Sequence, residues 1–266
     1  MKVDYSKICS EVRTIVLKTA NFIDSERKKN TLISAEVKGR HNYVTYVDKT
    51  AEQMLVKALS SIIPEAGFIA EEGTSDKKGE RFNWIIDPLD GTTNYLHGLP
   101  PFAISVALVE YDNPVAGVIY EIALKECFFA WKDSAAYLNG KEIKVSRAEK
   151  VSDSLIATGF PYSNYKYLDG FMNSIRYFME NSHGLRRLGS AATDIAYVAC
   201  GRFDGFYEYG LSPWDVAAGV LILKQAGGKS GDFNGGTNYL FGGEIVASNA
   251  NIFNEFQEIT RKLIRG

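Results

Sequence analysis

The chain has 266 residues, of which 45% are hydrophobic and 23% are charged, and its formal net charge is −2 at pH 7. This is the composition of a globular protein that is long enough to bury a large core. The near-neutral charge gives no general electrostatic reason to bind nucleic acid or an anionic membrane, and no segment approaches the ~20 apolar residues of a membrane span.

The first third of the chain predicts two helices and two strands. Apolar residues recur at helical spacing from Tyr5 to about Arg27. A polar, basic segment follows and closes on the alternating YVTYV at 43–47, where we expect a loop or hairpin. The next segment, DKTAEQMLVKALSSI, predicts an amphipathic helix with Asp48 as its N-cap. Two short strands come next, GFIA at 67–70 and FNWIID, which ends on Asp87.

The rest of the chain changes from strands to alternating strands and helices. Four β-type segments lie between residues 102 and 145, with turn signals such as Asn-Gly between them. After SLIATGFPY, helices are predicted at 170–182, in SAATDIAYVACG, in PWDVAAGVLILKQAGG and from about Ile252 to Leu263. GLRRLG, DGFYEYGL and EIVASN are predicted strands between them. We expect a single domain over residues 1–266, with at most two lobes, about 1–150 and 151–266, and no clean linker.

Three cysteines bear on the cellular compartment. Cys9, Cys127 and Cys200 are widely spaced and form no CxxC pair. This pattern favours three buried thiols over a disulfide or a zinc site. The N-terminal residues also lack the apolar core of a signal peptide. We therefore expect a cytoplasmic protein.

Four acidic residues fall at the ends of three predicted elements. Glu71 follows one strand, Asp87 ends another with Asp90 one turn beyond it, and Asp215 lies at the start of a helix. Strand ends and helix starts are where α/β folds gather their sites. Each motif alone is typical of a turn, a solvated acidic face or a helix start, but their conjunction favours a shared site. Carboxylates brought together would repel one another unless a hard cation such as Mg²⁺, which takes oxygen ligands, lies between them. Gly91 and Thr92 follow directly and offer backbone N–H groups for a phosphate.

Three long motifs give the chain a resemblance to a known family. AEEG at 70–73, WIIDPLDGTTNY at 84–95 and PWDVAAGVLILKQAGG at 213–228 resemble the signatures of the inositol monophosphatase family. The resemblance covers nearly the whole chain. It implies an α/β (α+β) fold, a layered αβαβα sandwich, and a Mg²⁺-dependent, lithium-sensitive phosphatase that is commonly a homodimer.

The resemblance also implies roles for the acidic residues. One Mg²⁺ would be held by Glu71, Asp87 and the carbonyl of Leu89. A second would be held by Asp87, Asp90 and Asp215, and a weaker third by Glu71 and waters. The catalytic residues would be Thr92, Asp48 and Glu71, with Thr92 paired to Asp48 to orient the attacking water. The amides of Gly91 and Thr92 would bind phosphate oxygens.

Contacts to the substrate are implied in the second half of the chain. The backbone of Gly189, Ser190 and Ala191 would touch the alcohol part of the substrate, beside Asp215. Glu208 would hydrogen-bond a sugar or inositol hydroxyl, the alternative being a charge on a sheet surface.

Four further positions are less specific. Lys38 would lie over the active site or be a surface lysine. Arg186 and Arg187 would approach a substrate phosphate or a dimer partner, or would form a solvated pair. Val47 stands where several family members carry threonine, which puts in doubt the second hydroxyl of the water-orienting network.

The leading functional hypothesis is a Mg²⁺-dependent phosphomonoesterase that acts on inositol monophosphate or a similar polyol or sugar phosphate. Within the superfamily, a 3'(2'),5'-bisphosphate nucleotidase and a fructose-1,6-bisphosphatase are alternatives, although GFPY at 159–162 and RRLGSAA favour the inositol phosphatase branch. A regulatory protein that keeps the fold and binds an RNA or a transcription partner is an alternative of another class. The intact acidic residues and Thr92 argue against a purely non-catalytic role.

Overall fold

The computed structural model describes residues 3–29, 36–39, 42–162 and 164–266. The elements of the first half are α1 (Tyr5–Lys29), β1 (Glu36–Gly39), β2 (Asn42–Val44), α2 (Tyr46–Leu59), β3 (Gly67–Ala70), β4 (Phe82–Asp90), α3 (Thr92–His97), β5 (Ala103–Glu110), β6 (Asn113–Glu121), β7 (Glu126–Trp131), β8 (Ala136–Leu138) and β9 (Lys141–Ile143). Those of the second half are a 3₁₀ turn (Val151–Asp153), β10 (Leu155–Thr158), α4 (Leu168–Asn181), β11 (Gly184–Arg186), α5 (Ala191–Ala199), β12 (Gly205–Tyr209), α6 (Pro213–Gln225), β13 (Gly228–Gly231), β14 (Glu244–Asn249) and α7 (Phe253–Arg265).

Two sheets organise these elements. The larger has seven strands in the order β3-β4-β5-β6-β7-β8-β9, and only β3 and β4 pair in parallel within it. The smaller has five strands in the order β11-β10-β12-β14-β13. A separate hairpin joins β1 to β2, where the sequence predicts a loop or hairpin. The strands of the two sheets come from separate stretches of the chain; that these stretches form one domain stays a prediction.

The helices and sheets alternate in five layers. Helices α1 and α2 pack on one face of the seven-stranded sheet, and α6 packs on the other face. Helix α5 pairs with α6 and contacts the five-stranded sheet, whose outer side is covered by α4 and α7. This arrangement confirms the predicted αβαβα sandwich.

Burial patterns explain which helix occupies which layer. Every residue of α5 is buried, as is the run from Val216 to Leu223 in α6. A mainly apolar helix that is buried on all sides belongs inside a protein, here between two sheets. Helix α7 instead buries only Phe253, Phe256, Thr260 and Ile264, the spacing of one helical face. The middle layer is therefore the most deeply buried of the helical layers.

Two boundaries near the site differ from the sequence prediction. Asp48 is not the N-cap of α2: the cap is Thr45, and Asp48 is the third helical residue, with its carboxylate accepting the Thr45 N–H at 2.9 Å. The β-like alternation of YVTYV hides this start, because Tyr46 and Val47 are already helical. Strand β4 also continues beyond Asp87 to Asp90, with an irregularity in its pairing to β5 between them.

Among the described residues, no helix is both long and apolar enough to cross a membrane. Cys9 and Cys127 are buried, Cys200 is half-buried, and all three are free cysteines.

Candidate active site

An acidic cleft of about 200 Å³ opens where the two sheets meet. The ends of β3 and β4 and the first turn of α3 form one wall. The N-termini of α5 and α6 and the strand β12 form the other. The site residues predicted from the sequence that line it are Glu71, Asp87, Leu89, Asp90, Gly91, Thr92, Gly189, Ser190, Ala191, Glu208 and Asp215. The fold therefore brings together residues that lie up to 144 positions apart in the chain (from 71 to 215).

Three aspartates form the centre of the cleft. Asp87, Asp90 and Asp215 each offer one carboxylate oxygen, and these oxygens all lie within 4.8 Å of one another. One oxygen of each side chain accepts a backbone N–H: Leu89 N at 2.9 Å for Asp87, Ala192 N at 2.8 Å for Asp90 and Ser212 N at 2.7 Å for Asp215. These bonds fix the orientation of the three carboxylates. We call this cluster the aspartate trio.

The electrostatics of the trio show the cost of bringing these charges together. Desolvation, followed by the charges of Glu71, Asp90 and Asp215, raises the pKa of Asp87 well above its ordinary value. Desolvation raises the pKa of Asp90 to about 6, and desolvation with the Asp90 charge raises that of Asp215. A divalent cation would remove this repulsion, and an all-oxygen donor set is the one that Mg²⁺ prefers. The trio therefore fits a hard divalent cation.

Glu71 lies beside the trio because β3 and β4 are parallel neighbours. It directly follows β3, its N–H donates to the carbonyl of Ile86 at 3.2 Å, and its side chain is half-buried in the cleft wall. Its charge raises the pKa of both Asp87 and Asp215. The structure thus places all four predicted acidic residues in one site.

Thr92 and Asp48 are hydrogen-bonded, as the resemblance implies. Thr92 Oγ1 lies 2.9 Å from Asp48 Oδ1 and 3.0 Å from the carbonyl oxygen of Leu89. Asp48 is 1% exposed, and desolvation raises its pKa. Its second oxygen is bonded to both the N–H and the hydroxyl of Thr45. Thr45 was missed from the sequence, although a threonine three residues before an acid is the spacing of a capping box.

Gly91 makes the turn from β4 into α3. Its φ of 90° lies in the left-handed region, and a Cβ there would lie 3.0 Å from the carbonyl of Pro101 and 3.2 Å from that of Gly189. Only glycine meets both conditions. The first N–H groups of a helix lack intrahelical acceptors, so the first turn of α3 brings such groups to the cleft beside the trio.

Ser190 connects the two walls of the cleft. It is the N-cap of α5, as the sequence predicts, and its hydroxyl donates to Asp90 Oδ2 at 2.7 Å. Gly189 and Ala191 flank it in the cleft wall. A segment expected to face the substrate thus also holds one member of the trio, which was not foreseen.

Glu208 is enclosed by the protein. Its side chain in β12 is 7% exposed, and a Cβ at Gly159 would lie 2.0 Å from its carboxyl oxygen. Desolvation and the charges of Asp215 and Asp90 raise its pKa well above the ordinary value, while Arg187 lowers it. Because it is buried and lines the cleft, Glu208 is not an exposed charge on a sheet surface.

The two arginines take different positions. Arg186 is exposed and donates to the carbonyl of Leu185 at 2.9 Å. Arg187 is the basic side chain among the described residues of the cleft wall, and it donates to Tyr162 Oη at 2.8 Å while stacking over Phe160, 5.2 Å from the ring centroid. The pair is therefore not equally solvated.

Two other charged residues are Asp194 in α5 and Lys38 in β1. Asp194 of α5 is 1% exposed, and desolvation with the charges of Glu208 and Asp90 raises its pKa well above the ordinary value. It was missed because its sequence context is that of an apolar helix. Lys38 lies in β1, and its role stays a prediction.

Comparisons with known proteins agree with this geometry. Residues 4–264 match the model of the inositol monophosphatase family. An inositol-1-monophosphatase of Mesorhizobium japonicum is 42% identical over 218 residues, which is 82% of each chain. The Nus factor SuhB of Escherichia coli K12 is 39% identical over 236 residues, 88% of each chain. The crystal structure of the extragenic suppressor protein SuhB of Bartonella henselae superposes with a TM-score of 0.90 at 35% identity, covering 96% of this chain and 99% of that one.

The match therefore spans the α1 to α7 layers and includes all the residues of the cleft. The fold is a five-layer sandwich with an aspartate trio between its two sheets. The chain belongs to the inositol monophosphatase family, whose enzymes are phosphoric monoester hydrolases.

Proposed function

We propose that this protein is a Mg²⁺-dependent phosphomonoesterase that hydrolyses inositol monophosphate or a similar polyol phosphate by attack of water. The observation that carries the proposal is the aspartate trio, with its oxygens within 4.8 Å of one another, beside the Thr92–Asp48 hydrogen bond. A cluster of desolvated carboxylates is costly in a protein that binds no cation.

Two or three Mg²⁺ ions would be held by Glu71, the trio and the carbonyl of Leu89. Bound there, they supply charge neutralisation on the phosphate and acidify a bound water. The oriented oxygens of the trio would fix the cations, and the amides of Gly91 and Thr92 would offer hydrogen bonds to the phosphate oxygens.

Thr92 and Asp48 position the attacking water. The Thr92 hydroxyl has one proton, so it donates one hydrogen bond, either to Asp48 Oδ1 at 2.9 Å or to the Leu89 carbonyl at 3.0 Å. When it donates to Asp48, its lone pairs are left to accept a hydrogen bond from water. The buried carboxylate of Asp48 is itself fixed by the N–H of Thr45. The hydroxyl therefore acts as an oriented acceptor, and no residue needs to form a covalent phosphoenzyme.

The far end of the cleft accommodates the leaving alcohol. Glu208 and the segment Gly189–Ser190–Ala191 line it. A buried carboxyl there is suited to a hydroxyl-rich leaving group. This favours an inositol or sugar phosphate over a nucleotide. A nucleotide base would need an aromatic ring to stack on, and the aromatic side chains among the described residues of the cleft wall are Phe160, Tyr162 and Trp214.

A phosphate-release screen tests the proposal. Purified protein is assayed on inositol 1-phosphate, fructose 1,6-bisphosphate, adenosine 3',5'-bisphosphate and an aryl phosphate, with Mg²⁺ and with EDTA. We expect release that requires Mg²⁺ and is fastest with inositol 1-phosphate. Lithium is expected to inhibit uncompetitively, since an ion that replaces a departing Mg²⁺ would retain phosphate. Equal rates with EDTA and with Mg²⁺ would disprove the proposal, and a large preference for the bisphosphates would favour the corresponding alternative.

Glu208→Ala tests the proposal that the substrate is a polyol phosphate. An unpaired polar group in a buried site costs ~1–3 kcal/mol, so we expect turnover of inositol 1-phosphate to fall about 10- to 100-fold and that of an aryl phosphate much less. Glu208→Gln keeps the shape that packs against Gly159 and separates the effect of charge from that of a cavity. An equal loss on both substrates would assign Glu208 to structure.

A second candidate function is a binding role of the kind that the name Nus factor gives to the Escherichia coli relative. The 39% identity over 88% of the chain is the observation that favours it. It is compatible with catalysis, and the net charge of −2 gives no general attraction for nucleic acid. A gel-shift assay with RNA and the Asp90→Asn variant separates the two functions, because a binding role would survive loss of the trio.

The homodimer and the cytoplasmic location stay predictions. Apolar side chains on the outer helix α4, Met172 and Met179, are 53% and 65% exposed, and exposed apolar surface is typical of contacts between copies. Sedimentation equilibrium measures the mass directly, and a value close to 29.5 kDa would contradict the dimer.

A further inference from the structure

Helix α2 carries a second buried carboxylate that the proposed mechanism does not use. Glu52 is 0% exposed, and a buried carboxylate is tolerated only where hydrogen bonds compensate its desolvation. Its two oxygens accept backbone N–H groups from the segment that follows β3: Oε2 from Glu72 at 2.7 Å and Oε1 from Thr74 at 2.8 Å. Both oxygens of Glu52 are thus committed to one short loop.

That loop carries Glu71. The N–H of Glu71 is bonded to the carbonyl of Ile86 in β4, and the next N–H along the chain, that of Glu72, is bonded to Glu52. The peptide units on both sides of the Glu71 α-carbon are therefore held, one by the sheet and one by α2. Because the backbone sets the direction of the Cα–Cβ bond, these two bonds fix the point from which the Glu71 side chain extends into the cleft.

Glu52 lies one helical turn after Asp48. Residues at i and i+4 are neighbours on the same helix face, so α2 presents two buried carboxylates side by side. Asp48 holds Thr92 at the start of α3, and Glu52 holds the loop after β3. A single helix therefore supports two parts of the same cleft wall, the hydroxyl proposed to orient water and the segment that carries Glu71.

We propose that Glu52 is a positioning residue that sets the Glu71 carboxylate against the aspartate trio, and so sets the affinity of the site for Mg²⁺. The proposal rests on the proposed Mg²⁺-dependent function. Groups that hold a metal ligand in place typically change metal affinity by 10- to 100-fold when they are replaced. Glu52 acts through the backbone and does not touch substrate.

The test is Glu52→Gln, with Mg²⁺ binding measured by calorimetry in the absence of substrate. Glutamine has the same size but only one acceptor oxygen, so one of the two N–H bonds is lost. We expect the Kd for Mg²⁺ to rise about 10-fold or more. We also expect phosphate release to recover as Mg²⁺ is raised, because every proposed ligand is still present.

Asp232→Asn is the matched control. Asp232 is 8% exposed and accepts the N–H groups of Asn234, Gly236 and Asn238 within its own loop, and it does not line the cleft. This variant should lower the Tm and leave the Kd for Mg²⁺ unchanged. If Glu52→Gln does not fold, Glu52→Asp, which draws both oxygens back by one methylene, is measured in its place.

The outcomes separate the two proposals. If Glu52→Gln binds Mg²⁺ as tightly as the wild type, or if Asp232→Asn weakens binding equally, Glu52 has only a structural role. If the wild-type protein neither binds Mg²⁺ nor releases phosphate, the proposed function fails and the positioning role falls with it.

Discussion

Replacing Asp90 with asparagine is expected to lower phosphate release by more than ~100-fold at saturating Mg²⁺. The change removes one of the three charges that meet within 4.8 Å, and with it a ligand of the proposed metal site. The asparagine carbonyl can still accept the N–H of Ala192, so the N-terminus of α5 keeps its bond. Because repulsion within the trio is relieved, the Tm without Mg²⁺ should be unchanged or higher.

Thermal melting with and without Mg²⁺ completes this test. A ligand that binds the folded state raises stability by mass action, so Mg²⁺ should raise the Tm of the wild type and have a smaller effect on Asp90→Asn. Asp204→Asn is a suitable control, since Asp204 also accepts a backbone N–H, that of Leu155 at 2.6 Å, but does not line the cleft. Near-wild-type turnover by Asp90→Asn would show that Asp90 is not a ligand.

Thr92→Ala is the second substitution that we expect to lower turnover strongly. Removing the hydroxyl takes away the hydrogen bond that Thr92 donates to Asp48 Oδ1 and the proposed acceptor for the attacking water. We expect kcat to fall roughly 100-fold or more with little change in KM, the pattern of a group that acts mainly in the transition state. Steady-state kinetics on inositol 1-phosphate measure both constants.

Thr92→Ser separates orientation from packing. Serine keeps the hydroxyl near Asp48 Oδ1 and should recover most of the lost kcat. A serine variant as slow as the alanine variant would mean that the threonine methyl is what matters. Phosphate trapped covalently on the protein in a quenched reaction would contradict attack by water altogether.

The sequence predicts the fold well where periodicity is strong. The apolar spacing of α1 and the largely apolar SAATDIAYVACG segment identify helices that the structure confirms. Errors occur where two signals compete. The alternation of YVTYV is that of a strand, yet the capping box of Thr45 and Asp48 starts α2 at Tyr46. The strand β13 was missed because Gly228–Gly231 has no apolar alternation, and it forms by pairing with β14.

The site is predicted less evenly. The acids were identified from element ends and from long motifs, both of which are local in sequence. What holds them in place was not: Ser190 bonds to Asp90 across 100 residues, and Glu52 bonds to the loop of Glu71 across 20. Such contacts leave no periodic or spacing signal. They depend on which layers of the sandwich meet.

The origin of the trio in two parts of the chain has a consequence for fragments of the protein. Asp87 and Asp90 come from β4 of the larger sheet, whereas Asp215 comes from α6, after most of the strands of the smaller one. A proteolytic cut in the connection between Ile143 and Val151 would leave two acids on one piece and the third on the other. Neither piece alone could recreate the constellation, so enzymatic turnover serves as a reporter for reassembly of the two halves.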